Sequence, residues 1–358
     1  MTLMHPSRVF SFLIAGCMAI GFTACDSSAD GDGDEIDLAP VLANMAQNVI
    51  LATYNDLDQA AMVLLTSCNT LASATTAPNL EAARTAWRAA RVPWESSEGF
   101  LFGPVDQFGL DPALDTWPVD EIAIEAILTG SDALTQAFVA NQDVDSGLKG
   151  FHVIEYLLFG AVGEKETSDF TVRELEYLTA AAEVLADDAE VLFESWNPSG
   201  DNYMSNLVNA GQSGSQFVSA KDALLTLADA LVGIADEVGA GKMQGPLDEG
   251  ILQVESRFSG NSKADFQNNI RSIQHVYLGD YGSVSGSGIT DLVAELDSDL
   301  DEQVRTEIAA AISEIGAITG EFRTAITTHR SEVEDAIAAV ITLKTSLEQM
   351  IVLLDESF

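Results

Sequence analysis

A chain of 358 residues, 47% of them hydrophobic, has enough material for one large core or two ordinary ones. Its 56 acidic side chains against 16 basic ones leave a formal charge of −40, which argues strongly against a nucleic-acid partner, because neutralising phosphates needs a basic surface. Most of that acidity reads as solubility, although it also raises the local concentration of cations.

The first residues read as a targeting segment rather than as fold. Arg8 is followed by a short apolar run over residues 9–21, then Phe22-Thr23-Ala24-Cys25 and an Asp/Gly/Ser-rich stretch. An apolar run, a small residue and then a cysteine is the pattern of a bacterial lipoprotein signal, with residues 1–24 removed and Cys25 carrying the lipid. Phe22 stands where an aliphatic residue is usual. An earlier candidate, Ile14-Ala15-Gly16-Cys17, has the better local pattern but leaves too short an apolar run before it. Plain secretion with cleavage nearby is the alternative. Residues 25–37 read as a flexible acidic linker. No other uninterrupted apolar run approaches membrane-spanning length, so lipid alone is expected to hold the protein to the envelope, facing the periplasm or the cell surface. Asp26 after Cys25 resembles an inner-membrane retention signal. With Cys17 removed and Cys25 acylated, Cys68 stands alone, so neither an intramolecular disulfide nor a Cys-rich zinc site is expected.

From Leu38 the apolar residues Val41, Leu42, Met45, Val49, Leu57, Leu64 and Leu65 recur at three- and four-residue spacings, predicting a helix to about Ser73. Pro78 opens a second helix through 81–91, with a kink expected at Pro93. Residues 103–118, rich in Gly, Pro and Asp, read as irregular. Helical pattern returns at 119–129, 132–141, around His152, and at 171–195. Turn residues at 197–200 and 211–214 suggest a boundary. Beyond it, helices are indicated at 216–238, 262–277, 291–300, 303–324 and 331–354, with Ser262 and Asp265 placed for a capping box. The expectation is all-α, in two packed helical bundles over 38–210 and 211–358.

Three stretches carry polar groups where apolar ones would be cheaper. Residues 147–160 are apolar nearly all round (Phe151, Val153, Ile154, Leu157, Leu158, Phe159), so this helix belongs in a core. His152 and Glu155 interrupt it, three apart and so on one face. A buried carboxylate is costly unless compensated. A metal ion and a plain His–Glu hydrogen bond are the two compensations, about equally favoured by composition alone.

In residues 87–103, Glu95 and Glu98 repeat that spacing among Trp87, Trp94, Phe100 and Phe102. Carboxylates this close raise one another's pKa unless a cation lies between them. Arg84, Arg88 and Arg91 share one helical stripe. The plainer reading is an Arg91–Glu95 pair at (i, i+4), worth only tenths of a kcal/mol if exposed, with the aromatic residues as core. In residues 110–121, Asp120 or Glu121 reads as a helix cap, and Asp115 is the carboxylate expected to approach His152.

The chain has no His-Glu-x-x-His motif, which the common zinc peptidases need. Outside the signal its histidines are His152, His275 and His329. His275 reads first as a capping or packing residue, with a place at the interface between bundles as the sharper alternative. One imidazole with several carboxylates suits iron or manganese at least as well as zinc or calcium.

Gly150-x-His152-x-x-Glu155, followed by Tyr156-Leu157-Leu158-Phe159-Gly160, closely resembles the signature of the imelysin (insulin-cleaving membrane protease) family. Residues 87–103 with Asp115-Thr116-Trp117-Pro118 resemble the family's upstream segment. Glu255-Ser256-Arg257-Phe258, Asp265-Phe266 and Val276-Tyr277-Leu278-Gly279 resemble a further block. The likeness spans essentially the whole mature chain. It implies a lipid-anchored or periplasmic all-helical protein of two bundles with a site between them, associated with iron acquisition and with other iron-uptake envelope proteins. Carried over from related metal-binding proteins, the ligands beside His152 and Glu155 would be Glu95, Glu98 and Asp115, although the spacing from Glu98 to Asp115 is longer here.

The leading expectation is therefore binding of a metal ion, free or chelated, with iron first and zinc, manganese or calcium behind it. A metallopeptidase using the same cluster, with Glu155 or Glu98 as general base to a metal-bound water, is the first alternative. An envelope interaction protein with a purely structural polar pair is the second.

Overall fold

The structure, a computed structural model, describes residues 36–358. The signal segment, Cys17, Cys25 and nearly all of the acidic linker lie outside the described residues. Helices dominate, as the apolar periodicity requires. The first is α1 (Ala39–Asn44), which passes through a π-helical turn (Met45–Ile50) into α2 (Leu51–Ser73) without leaving helical backbone. The buried side of α2 carries Tyr54, Leu57, Ala61, Leu64, Cys68 and Leu71, the three- and four-residue stripe of a helix with one face in a core. It lies against α3 (Ala77–Glu95) on one side and α9, described below, on the other.

Thr76 caps α3 by accepting from the Asn79 amide, with Pro78 in the first turn. Pro93 does not end this helix, which runs on to Glu95. A proline so near the C-terminus removes only one hydrogen bond from a turn about to finish.

Residues 103–118 are more ordered than their composition suggests. They form α4 (Pro104–Gln107) and α5 (Leu110–Asp115), then α6 (Glu121–Thr129) follows, capped by Asp120. The helix expected over 132–141 shrinks to α7 (Gln136–Ala140), because Thr135 caps it by accepting from the Phe138 amide. Next come α8 (Phe151–Phe159), fully buried, and α9 (Val172–Trp196), which starts with a Thr171/Glu174 capping box.

Gly150 explains how α5 and α8 meet. Its φ is +83°, and a Cβ there would lie 2.4 Å from the Leu114 carbonyl oxygen. Only glycine lets the end of α5 press against the start of α8, and that approach sets Asp115 beside His152.

After α10 (Met204–Val208), the second group of helices begins with α11 (Ala220–Asp236), which Ser219 caps. Here the expected end at 238 is overrun. A π-helical turn (Glu237–Met243) carries the chain past Gly239 and Gly241 into α12 (Gln244–Glu249). α13 (Ser262–Leu278) starts without the expected capping box. Asn261 stands at its N-cap, and Asp265 accepts from the Asn261 amide nitrogen Nδ2 at 2.7 Å.

A short ribbon pairs Asp280–Tyr281 with Val284–Ser285, antiparallel. Asn44 ties it to the first helix by donating to Gly279 and Ser287 carbonyls at 2.9 Å each. α14 (Ile289–Leu296) and α15 (Ser298–Ala317) divide at Asp297, which caps α15 by accepting from two amides, so the break expected near 300 falls earlier. α16 (Phe322–Thr328) and α17 (Arg330–Ser357) complete the chain.

By length and composition α17 is long and apolar enough to cross a bilayer, although Lys344 and Glu348 interrupt its apolar residues. Its buried stripe (Val333, Ala336, Val340, Leu343, Leu347, Met350, Leu354) packs against α11 and α15, which is core packing. The helices thus form two groups, α2–α3–α8–α9 and α11–α13–α15–α17, joined where α3 and the 3-10 turn Glu98–Phe100 meet α13. Gly99 permits that approach, since a Cβ there would lie 2.7 Å from Ser272 Oγ.

Candidate metal centre

At this junction the chain buries an unusual concentration of charge. The last turns of α3 supply Arg91 and Glu95, and the 3-10 turn supplies Glu98. Asp115 ends α5, and α8 offers His152 and Glu155. The second group contributes Lys242 from the π-turn, Glu255 from the segment before α13, and Asp265 and Asn269 from α13 itself. All ten are buried.

Arg91 is the hub on one side. Its Nη1 donates to Asp115 and its Nη2 to Glu95, while Nη2 also reaches Glu255 Oε1 at 2.8 Å and Nε lies 3.6 Å from Asp265. The guanidinium sits 5.1 Å from the Phe151 ring centroid and 5.9 Å from that of Trp87. The arginine stripe continues along α3. Arg84 donates to the Leu158 carbonyl at the end of α8, and Arg88 donates to Ser259 O while lying over Phe159.

On the other side is Lys242. Its Nζ lies 2.9 Å from Glu98 Oε2, 3.3 Å from Glu255 Oε2 and 3.7 Å from Glu95 Oε2. Asn269 Nδ2 donates to both Glu95 and Glu98, holding those carboxylates together.

His152 lies between the two cations. Its Nδ1 is 3.0 Å from Glu155 Oε2, and the other oxygen of Glu155 accepts from the amide and hydroxyl of Ser259 at 2.7 Å each. Glu155 thereby fixes the imidazole and ties α8 to the second group. Nε2 lies 3.2 Å from Asp115 Oδ1 and 3.8 Å from Glu255 Oε1, yet makes no hydrogen bond of acceptable geometry. Trp94 Nε1 donates to the remaining oxygen of Asp115 at 2.7 Å.

The charges do not balance. With every carboxylate ionised, Glu95, Glu98, Asp115, Glu155, Glu255 and Asp265 face Arg91 and Lys242, and even with His152 protonated a formal excess of three negative charges remains. The titration behaviour reflects this. Burial pushes Glu98 well above the carboxylate range against the pull of Lys242, and it lifts Asp265 to about 6 despite Arg91. Burial acts the same way on Asp115 and Glu255, but Arg91 and His152 overcome it at Asp115, and Lys242, His152 and Arg91 bring Glu255 to about 2. His152 would be depressed by burial, yet the carboxylates around it, Asp115 foremost, hold it well above its ordinary value.

A cation suits this donor set. Atoms of Asp115, His152 and Glu255 lie within 4.8 Å of one another, as do atoms of Glu95, Glu98 and Asp115, so Asp115 belongs to both groups. His152 Nε2, Glu255 Oε2 and Asp265 Oδ2 are buried without hydrogen-bond partners. One imidazole nitrogen among carboxylate oxygens is the chemistry of a hard or borderline ion. A cavity of about 350 Å³ reaches the cluster, lined among others by Glu98, Asp111, Asp115, Trp117, Glu237 and Lys242.

All five residues singled out from the sequence as metal candidates, Glu95, Glu98, Asp115, His152 and Glu155, therefore converge. His275 does not. It pairs with Asp280 at 3.2 Å and meets Tyr281 edge-on. The Arg91–Glu95 pair forms, but both residues are wholly buried and Arg91 faces three further carboxylates. Sequence reasoning gave no site role to Lys242, Glu255, Asp265, Asn269 or Ser259. Glu255, Ser259 and Asp265 lie in the block at 255–266 already noted for its family likeness, while Lys242 sits in a glycine-rich helical segment with no motif to mark it.

The Imelysin family profile matches residues 50–349. Iron-regulated protein A of Synechococcus elongatus is 29% identical over 338 residues, covering 93% of this chain and 88% of that relative. The crystal structure of an iron-regulated protein A precursor from Parabacteroides distasonis superposes with a TM-score of 0.81 at 28% identity, covering 92% of this chain and 97% of the other. An imelysin-like protein from Psychrobacter arcticum shares the fold, with a TM-score of 0.70 at 14% identity over 88% and 94% of the two chains.

Proposed function

The chain belongs to the imelysin family, and we propose that it binds a metal ion, iron in its physiological setting, at the buried cluster between its two groups of helices as part of iron acquisition. The observation that carries this reading is the buried Nε2 of His152, which makes no well-formed hydrogen bond and lies 3.2 Å from Asp115 and 3.8 Å from Glu255 in a cluster with a formal excess of negative charge. His152, Asp115 and Glu255 would form the first ligand group, with Glu95 and Glu98 completing it through the shared Asp115. Glu155, both of whose oxygens are engaged, would act behind His152 by setting its tautomer and orientation. The similarity to iron-regulated protein A supports iron as the ion.

The ion is cargo in this reading. Arg91 and Lys242 offset part of the acid when no metal is bound. Export and lipid attachment at Cys25, supported by the signal-like pattern of residues 1–25, would expose the site to extracytoplasmic metal. Binding must displace the proton that His152 holds, so affinity rises with pH through the raised value of that imidazole. Elemental analysis of protein purified without chelator, followed by equilibrium dialysis against Fe²⁺ and Mn²⁺, tests the proposal. Near-stoichiometric metal, lost in Asp115→Asn and His152→Ala, is the expected result. Unchanged binding in both variants would overturn it.

A further inference from the structure

Two cations hold this cluster, and they hold it differently. Arg91 is a planar fork that donates to three carboxylates with a fourth, Asp265, 3.6 Å from its Nε; it is set among Trp87 and Phe151 and does not line the cavity. Lys242 is a point charge on a flexible stem, rising from a π-turn between Gly241 and Met243, and it lines the cavity directly. Its side chain is 1% exposed, and the ammonium lies among Glu98, Glu255 and Glu95, carboxylates from two separate stretches of chain. That is how a bound cation is held.

A second berth is already built beside it. Glu237, 46% exposed at the cavity mouth, has Oε1 3.8 Å from the same Nζ, and the Trp117 ring centroid is 5.5 Å away. The cavity between has about 350 Å³, and among the described residues that line it Lys242 is the one cation against Glu98, Asp111, Asp115, Asp145 and Glu237. At ~30 Å³ per water this is room for a cation with its hydration shell, behind a rim that repels anionic chelates.

We infer that Lys242 is an exchangeable counter-ion: its ammonium occupies the cation seat among Glu95, Glu98 and Glu255 in the metal-free protein and swings to Glu237 and Trp117 when a hydrated divalent cation enters through this cavity. The inference rests on the proposed metal function and names the residue that regulates it. Without a resident cation the buried carboxylates would face one another unpaired, which is strongly destabilising. With a permanently fixed one, the ion could not enter. A lysine on a flexible stem satisfies both requirements, and no covalent step is involved.

The test uses the full-length protein in detergent, with Mn²⁺ as probe. Binding is measured by equilibrium dialysis for the unaltered protein, Lys242→Met and Lys242→Gln. Acetylation of Lys242 by an amine-reactive ester is followed by mass spectrometry with and without Mn²⁺, with Lys221 and Lys344 as internal standards. Mn²⁺ is expected to raise Lys242 labelling at least fivefold in the unaltered protein, and the variants to bind Mn²⁺ at least tenfold more tightly. Binding confined to the variants would overturn the inference, because the lysine would then be a fixed bar and not an exchangeable counter-ion.

If the unaltered protein binds Mn²⁺ with Lys242 labelling unchanged, the inference falls and the metal function stands, even if the variants bind more tightly, because that is repulsion from a lysine that stays in place. If neither the protein nor the variants bind, both fall. The labelling arm needs no variant, so a misfolded substitution leaves the question decidable.

Discussion

The Arg91 end and the Lys242 end of the cluster solve one electrostatic problem in two ways. Both place a cation among buried carboxylates that would otherwise repel. At the Arg91 end both Nη atoms donate to carboxylates, aromatic rings flank the guanidinium, and Arg91 does not line the cavity. At the Lys242 end the stem is flexible and a cavity opens alongside. The contrast teaches that charge compensation in a buried site can be structural at one end and provisional at the other.

Arg91→Met should be the most damaging test of that contrast. It strands Asp115, Glu95 and Glu255, and breaking a buried pair from one side costs about 3–5 kcal/mol. Denaturant unfolding should show that loss with or without Mn²⁺, whereas Mn²⁺ should restore most of any loss in Lys242→Met. Equal rescue of the two variants would erase the distinction between the ends.

The ligand face comes next. His152→Ala is expected to weaken Mn²⁺ binding by about 100-fold, or roughly 2.7 kcal/mol at RT ln 100, while leaving the Lys242 end intact. A loss confined to Glu98→Gln would instead move the ion away from His152 altogether.

A pH series sharpens the comparison without mutation. Asp265 is held near 6, above its unfolded value, so the folded state binds the extra proton and metal-free stability falls as pH rises from about 4 to 6. His152, also raised, adds stability below its unfolded value that is lost as pH climbs through the folded one. Asp115 and Glu255 work the other way, since their stabilisation is present above the unfolded value and disappears as pH falls toward about 2 at Glu255. Metal-free protein should thus be most stable near pH 4–5, by on the order of 2 kcal/mol over pH 7, since each pH unit separating folded and unfolded values is worth about 1.36 kcal/mol. Saturating Mn²⁺ should shift that optimum upward in thermal melts.

Ser259→Ala should have the smallest effect. It removes one of the two donors to Glu155 Oε1 and loosens the imidazole, for about a tenfold loss of affinity with little change in stability. An effect as large as that of His152→Ala would make Ser259 more than a support.

How much of this could be read in advance depended on whether the signal was local. The buried His152/Glu155 pair stood out because apolar residues surround it on its own helix. Glu95 and Glu98 stood out by the same spacing among aromatic residues. The Arg91–Glu95 pair was legible, but the burial of Arg91 was not, because its partners Glu255 and Asp265 are 164 and 174 positions away. Helix ends slipped where a capping side chain chose between nearby starts, as Asp297 and Thr135 did.

By itself the sequence determined that the protein is helical, which faces are apolar, and that ionisable groups lie where burial makes them costly, because each of these follows from periodicity and composition within a few turns of chain. Only the tertiary structure decided which charges meet. Apolar stripes pack against one another without naming their partners, and a π-turn such as Glu237–Met243 rotates every side chain beyond it. For that reason Lys242, invisible as a motif, stands at the centre of the cluster.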